Sequence, residues 1–259
     1  MSDSRKHDDG SAGDADYGRL APGYSDYRRP DPRIAAEIER ALGDAITVVN
    51  VGAGAGSYEP IDRVVTAVEP SASMRALRAA DHPAIDAVAE ALPFPDDSFD
   101  AGMSTFSVHQ WPDAAAGLRE LRRVVRGPIA ILTLDPVKVP DFWLNDYVPE
   151  VVSTEASRYP ELHQIERALG GHTRVVVVRI PFGCIDGFNQ AYYGRPERLL
   201  DPGARKANSA WSFVDPSIEV RFTEELTADL ESGAWDARYG ELRHQPDFDG
   251  GLRLVVSRP

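Results

Sequence analysis

The chain has 259 residues, 42% of them apolar and 8% aromatic, enough for one large α/β domain with an appended lid or for two small domains. A formal charge of −13 with no basic run argues against a general nucleic-acid binder and for a small-molecule partner. A single cysteine, Cys184, excludes an internal disulfide and a Cys-rich zinc site, and no apolar run reaches the ~20 residues of a membrane span, so a cytoplasmic location is expected.

Residues 1–16, rich in Asp, Ser and Gly, are expected to be a disordered tail. Residues 17–32, YGRLAPGYSDYRRPDP, form an arm too broken by Gly and Pro for a plain helix. It reads either as a surface arm capping the domain or as a flap over a ligand, with Tyr17 and Tyr24 as lid aromatics and Arg28 gripping a carboxylate. A helix is predicted over Ile34 to Leu42, stopped by Gly43. Val48, Val49 and Val51 make a first strand, the chain turns on Gly52, Gly54 and Gly56, and a second apolar run ends on Glu69. Strand, glycine turn, helix, strand, acid is an order that puts turn and acid side by side at the carboxyl edge of two parallel strands, where a nucleoside can lie across both. The acid would hold the ribose diol. Dinucleotide folds space their glycines G-x-G-x-x-G to receive a pyrophosphate, whereas here the spacing is G-x-G-x-G with Ser57 in the third place, so no phosphate cradle is implied. Asn50, at the head of the turn, offers an acceptor to an ammonium group. Pro70 and Ser71 open a helix through Met74, Leu77 and Arg78, with Met74 either an apolar wall for a base or core.

The stretch Ile85 to Asp113 is the second informative one. Pro93 and Pro95 fix a rigid turn, and Asp96, Asp97 and Asp100 read as a solvated acidic face; no metal is expected. A strand over Asp100 to Ser104 delivers Thr105 to Trp111 to the same carboxyl edge. His109 is the side chain there able to accept a proton near neutral pH, or else a structural hydrogen-bonder. Asp113 to Val125 is amphipathic and Ile129 to Leu134 reads as a central parallel strand, so strands and helices alternate as in a doubly wound sheet. A helix is expected over Asp141 to Val152, another over Pro160 to Leu169, and strands over Thr173 to Ile180 and Gly251 to Ser257. Helices are expected near Pro196 to Leu200, Pro202 to Phe213 and Thr223 to Ser232. About 70 residues thus separate the last two strands, a lid or substrate wall by size. Tyr192, Tyr193 and Trp211 are its pocket or core aromatics, and Trp143 and Tyr147 of the helix over Asp141 to Val152 are expected in a substrate pocket.

An acid or amide followed by G-x-G-x-G, a carboxylate ending the next strand, and AEALPFPDDSFD from Ala89 to Asp100 together resemble the S-adenosylmethionine-dependent methyltransferases with the Rossmann-like (class I) fold that act on small molecules. The resemblance covers about Tyr17 to Asp135. It implies one α/β domain: a Rossmann-like seven-stranded, mostly parallel sheet with helices on both faces, a cofactor-binding core over 33–135, and a second half, 136–259, with a helical lid inserted at about 181–250. It also implies S-adenosylmethionine as cofactor, with Tyr17, Tyr24, Arg28, Asn50, Gly52, Ala53, Gly54, Glu69, Pro70, Met74, Ala89, Glu90, Ser104 and Thr105 around it. His109 would be the catalytic base, and Trp111, Trp143, Tyr147, Tyr192, Tyr193 and Trp211 would face the substrate. The implied activity is methyl transfer to a small organic molecule, in secondary metabolism. Asn50 stands where these relatives carry an acid, and Val88 where they carry Asp, which leaves Ala89 and Glu90 for the adenine. A protein of this fold catalysing a non-methylating reaction is the alternative; a nicotinamide-dependent oxidoreductase is disfavoured by the glycine spacing.

Overall fold

The structure, a computed structural model, describes His7–Asp9, Gly13, Ala15 and residues 23–259. After the four-residue α1 (Tyr24–Tyr27), helix α2 (Pro32–Leu42) starts where Asp31 accepts the Arg33 N–H at 3.0 Å and Pro32 presets the first turn. The strands β1 (Thr47–Val51) and β2 (Val64–Val68) flank the glycine turn and are followed by α3 (Ala72–Arg75) and the two-residue β3 (Ala84–Ile85). Next come β4 (Ala101–Thr105), α4 (Ala114–Val124) and β5 (Ile129–Leu134). Helices α5 (Pro149–Arg158) and α6 (Leu162–Leu169) lead to β6 (His172–Val177). The remaining elements are β7 (Ile180–Pro181), α7 (Pro202–Lys206), α8 (Pro216–Ser232), α9 (Ala234–Tyr239), β8 (Asp247–Phe248) and β9 (Leu252–Arg258).

Among the described residues the main sheet has seven strands in the order β3-β2-β1-β4-β5-β9-β6. All neighbouring pairs from β3 to β5 are parallel, and β9 runs antiparallel to both β5 and β6. The order reverses between β1 and β4, which is where open α/β sheets leave a crevice at the carboxyl ends of their strands. Side chains alternate across the sheet with period two. Ile129, Ile131, Val49 and Val51 pack with Leu118 and Leu121 of α4 and Ile165 of α6, whereas Ala130, Leu132, Val48 and Met103 pack with Ile34 and Ile38 of α2. That second cluster runs on into the segment between β6 and β9, through Tyr193, Phe222 and Trp235, each essentially without exposure.

Two expectations are corrected here. The helix after Ser71 ends at Arg75, because Leu77 and Arg78 close three-residue turns and the Arg78 guanidinium swings to Glu59 at 2.8 Å. The single helix over Asp141 to Val152 is instead a 3-10 turn, Trp143–Asp146, and then α5, because Pro149 has no N–H to continue a helix and starts a new one. The long insertion shares one apolar cluster with the sheet and forms a layer on that face.

Candidate active site

Gly52 follows β1 with φ 68°, and a Cβ there would come 1.8 Å from Ser107 Oγ, so the β1 and β4 loops meet only because this residue has no side chain. Ser107 accepts the Trp111 indole N–H at 3.1 Å. Three N–H groups of the turn are already engaged within the chain. Ala53 donates to Val68 O at 2.9 Å, Gly54 to Glu69 Oε2 at 2.8 Å and Gly56 to Ala53 O at 2.9 Å. Glu69 Oε1 takes the Ser71 N–H at 2.8 Å. Burial pushes the Glu69 pKa up, against the pull of the Ser71 and Gly54 N–H groups and of Arg75 and Arg78. Each carboxylate oxygen keeps one further lone pair, enough for the two hydroxyls of a diol.

A cavity of about 840 Å³, part of it open to solvent, lies over this turn. Of the residues expected around a cofactor it is lined by Tyr24, Arg28, Gly52, Ala53, Gly54, Glu69, Pro70, Met74, Ala89, Glu90 and Thr105. Asn50 and Ser104 are not among them. Asn50 is fully buried and donates to Glu59 Oε1 at 2.9 Å, and Ser104 points into the core, since alternate residues of a strand face opposite ways. Tyr17 lies outside the described residues. Trp111, assigned to the substrate from sequence, lines this cavity instead, with Ser57, Tyr58, Phe106, Ser107, Gln110 and Pro112. Glu90 spends Oε1 on the Asp113 N–H at 3.0 Å, while its buried Oε2 has no partner among the described residues. The tail also contributes, against expectation: Asp9 accepts the Ala72 N–H at 2.6 Å and the Ser71 hydroxyl at 2.7 Å, and Gly13 lines the cavity against Gln110.

A second cavity, about 490 Å³ including its open part, shares Tyr24, Arg28 and Phe106 with the first. His109, on the 3-10 turn Val108–Gln110, lines it and packs against Tyr159 in a tilted ring pair with centroids 4.2 Å apart. Burial drives the His109 pKa well below its usual value, and Arg158 and Arg28 push the same way, so the imidazole is neutral at pH 7. Arg28, on the shared wall, donates to Asp186 at 2.5 Å, and Asp186 also takes the Tyr58 hydroxyl at 2.9 Å. The remaining walls come from α5 (Glu155, Arg158) with Tyr159 just beyond it, and from Phe188, Asn208 and Ser209 of the insertion.

Trp143, Tyr147, Tyr192, Tyr193 and Trp211 line neither cavity. They are core: the Trp143 indole donates to Tyr193 O at 3.0 Å, Tyr147 to Asp229 at 2.7 Å, and Trp211 to Asn189 at 3.1 Å. Glu155 and Arg158 carried a signal that aromatic content masked. Val148, Val151, Val152 and Glu155 fall on one helical face, and an acid within an apolar stripe marks a buried charge. The acidic run resolves into ion pairs, Asp96 with Arg123 at 2.8 Å and Asp100 with Arg126. Among the described residues no three His, Cys, Asp or Glu side chains converge as a metal site, and no helix is long and apolar enough to cross a membrane.

Residues 49–128 match the methyltransferase domain family, the segment that carries the glycine turn, Glu69 and the His109 loop. The chain carries a class I methyltransferase domain. A solved structure from Anabaena variabilis, provisionally described as a methyltransferase from an antibiotic biosynthesis pathway, superposes on this methyltransferase domain with a TM-score of 0.83. The two are 29% identical, and the match covers 89% of this chain and 98% of that one. Demethylmenaquinone methyltransferase of Corynebacterium urealyticum is 31% identical over 150 residues, 52% of this chain and 65% of the relative. A chloroplastic 2-methyl-6-phytyl-1,4-hydroquinone methyltransferase of Oryza sativa is 41% identical over 68 residues, 26% of this chain and 20% of the relative. The matches thus span less than two thirds of either curated relative. S-adenosylmethionine is the cofactor of this methyltransferase domain, and the buried Glu69 carboxylate beside the glycine turn, with lone pairs left for hydroxyl donors, fits it.

Proposed function

We infer that the chain transfers a methyl group to a small organic acceptor, in a biosynthetic rather than a nucleic-acid-modifying role. The observation that carries this is the contact of two cavities through one wall, Tyr24, Arg28 and Phe106, with the diol-binding carboxylate on one side and a neutral histidine on the other. The likeness to the Anabaena protein over nearly its whole length, together with the acidic surface, supports placing the reaction in secondary metabolism.

In this reading Glu69 holds the ribose hydroxyls and Glu90 Oε2 takes the adenine amino group, the role left vacant by Val88. Met74, Trp111 and Pro112 wall the nucleoside, and Gly52 and Gly54 let its amino-acid end pass close to the backbone. Arg28 faces the carboxylate while Asp186 fixes its fork. When bound, S-adenosylmethionine supplies a methyl group already activated by a sulfonium. The chain's own contributions are alignment across the shared wall, exclusion of water by Phe106 and Phe188, and a neutral imidazole at His109 that accepts the acceptor's proton through one of its ring nitrogens.

Incubation with S-adenosylmethionine carrying a deuterated methyl group, followed by mass spectrometry of a panel of small hydroxy and amino compounds, tests the assignment. Label in a product, with matching release of S-adenosylhomocysteine, supports methyl transfer. A product isomeric with its substrate and unlabelled would replace it with the non-methylating reaction.

A further inference from the structure

One charged side chain in the second cavity is used neither by the cofactor site nor by the proton transfer. Glu155 is 6% exposed and occupies the α5 face that Val148, Val151 and Val152 fill with hydrocarbon. A leucine would serve packing better, because a buried carboxylate is penalised unless hydrogen bonds compensate it. Its compensation comes from the insertion: the Gln190 amide donates to Oε2 at 3.0 Å, and the Asn189 amide reaches both oxygens at 3.4 and 3.5 Å, a long contact. Asn189 is itself held, accepting the Trp211 indole N–H at 3.1 Å and donating its backbone N–H to Asn208 Oδ1 at 2.9 Å. Two side-chain amides thus fix a carboxylate in the wall of the cavity with lone pairs to spare. Around it stand the rings of Phe106, His109, Tyr159 and Phe188, and only Phe106, Leu134, Phe188 and Ala207 of the twelve lining residues are apolar.

We propose that Glu155 selects the methyl acceptor, taking a hydrogen bond from an N–H or O–H group on a small, ring-sized polar molecule seated among Phe106, Tyr159 and Phe188. The proposal rests on the methyltransferase reading and narrows it. A phytyl tail like that named for the rice relative needs a long hydrocarbon trough, and a lining with four apolar residues in twelve offers none. A donor facing Glu155 is favoured over an apolar isostere because a site built around a buried acceptor rejects a ligand that leaves it unpaired.

The test is calorimetry on the full chain saturated with S-adenosylhomocysteine, using phenol and aniline as O–H and N–H probes, toluene as their isostere, and a phytyl-substituted hydroquinone. The wild type is expected to bind phenol or aniline at least tenfold more tightly than toluene, and the preferred probe tells hydroxyl from amine. Glu155→Leu, which extends the apolar stripe, should abolish that preference while S-adenosylhomocysteine affinity stays the same; Glu155→Gln, isosteric and uncharged, should reduce it if the leucine variant does not fold. An unchanged preference in the variants, no binding of either donor probe, or tightest binding by the phytyl hydroquinone would overturn the proposal. Failure of the wild type to bind S-adenosylhomocysteine at all would be a different result, bringing down the methyltransferase reading beneath it.

Discussion

At the scale of single residues, burial acts on both Glu69 and His109, raising the pKa of the one and lowering that of the other. The Glu69 carboxylate is held by the Gly54 and Ser71 N–H groups, each at 2.8 Å, with its remaining lone pairs toward the cavity. Glu69→Gln should weaken S-adenosylmethionine binding by about 1.5–3 kcal/mol, the worth of charge-assisted hydrogen bonds, measured by calorimetry. His109 is kept neutral by burial and by Arg158 and Arg28, so its proton-accepting form persists well below the usual histidine range. Turnover should therefore hold as pH drops through the ordinary histidine pKa and fall only at more acid values; a rate that titrates near pH 6.5 would mean a solvated histidine. His109→Ala should lower turnover by roughly 10²–10⁴-fold with cofactor affinity nearly unchanged. That Glu69 faces the cavity was legible, because a strand-end acid behind a glycine turn sits at the carboxyl edge of the sheet. Asn50 and Ser104 misled because position on a strand does not reveal which face a side chain takes, and both turn into the core.

At the scale of elements, two ties hold the site together. Arg28, just after α1, meets Asp186 of the insertion at 2.5 Å, with Tyr58 on the same carboxylate and the Gly187 N–H on Tyr27 O at 2.8 Å. Side-chain exposures of 11% and 2% make this a buried pair, and Asp186→Asn should cost about 3–5 kcal/mol in urea unfolding because it strands the guanidinium. Asp100 at the start of β4 accepts the Thr47 N–H at 2.8 Å and its hydroxyl at 2.9 Å, and pairs with Arg126, joining β1 to β4. Those bonds hold its pKa down at about 2. A depressed carboxylate stabilises the fold above its unfolded pKa and loses that contribution as pH falls through the folded one. The stability gap between wild type and Asp100→Asn should thus be full above about pH 4 and close on approach to pH 2. Neither tie was legible in sequence: the partners of Arg28 and Asp186 lie 158 positions apart, and the acidic run read only as a solvated face.

At the scale of the whole molecule, the sheet was readable and its covering was not. The alternation of strands with helices up to Asp135, and the continuous apolar run of β5, follow from local periodicity, which a chain displays without its neighbours. The insertion between β6 and β9 has short 3-10 turns and aromatics that serve equally as core or pocket, and only packing decides between them. It decides for core at Tyr192, Tyr193 and Trp211, and for the cavity at Phe188, Asn208 and Ser209. The resulting molecule joins a cavity over the glycine turn, lined by Glu69, to a smaller polar cavity across one wall. Titration calorimetry with S-adenosylhomocysteine and, separately, with NAD on the full chain tests this most directly. S-adenosylhomocysteine should bind one per chain with NAD giving no heat, whereas NAD binding, or no S-adenosylhomocysteine binding, would contradict the account.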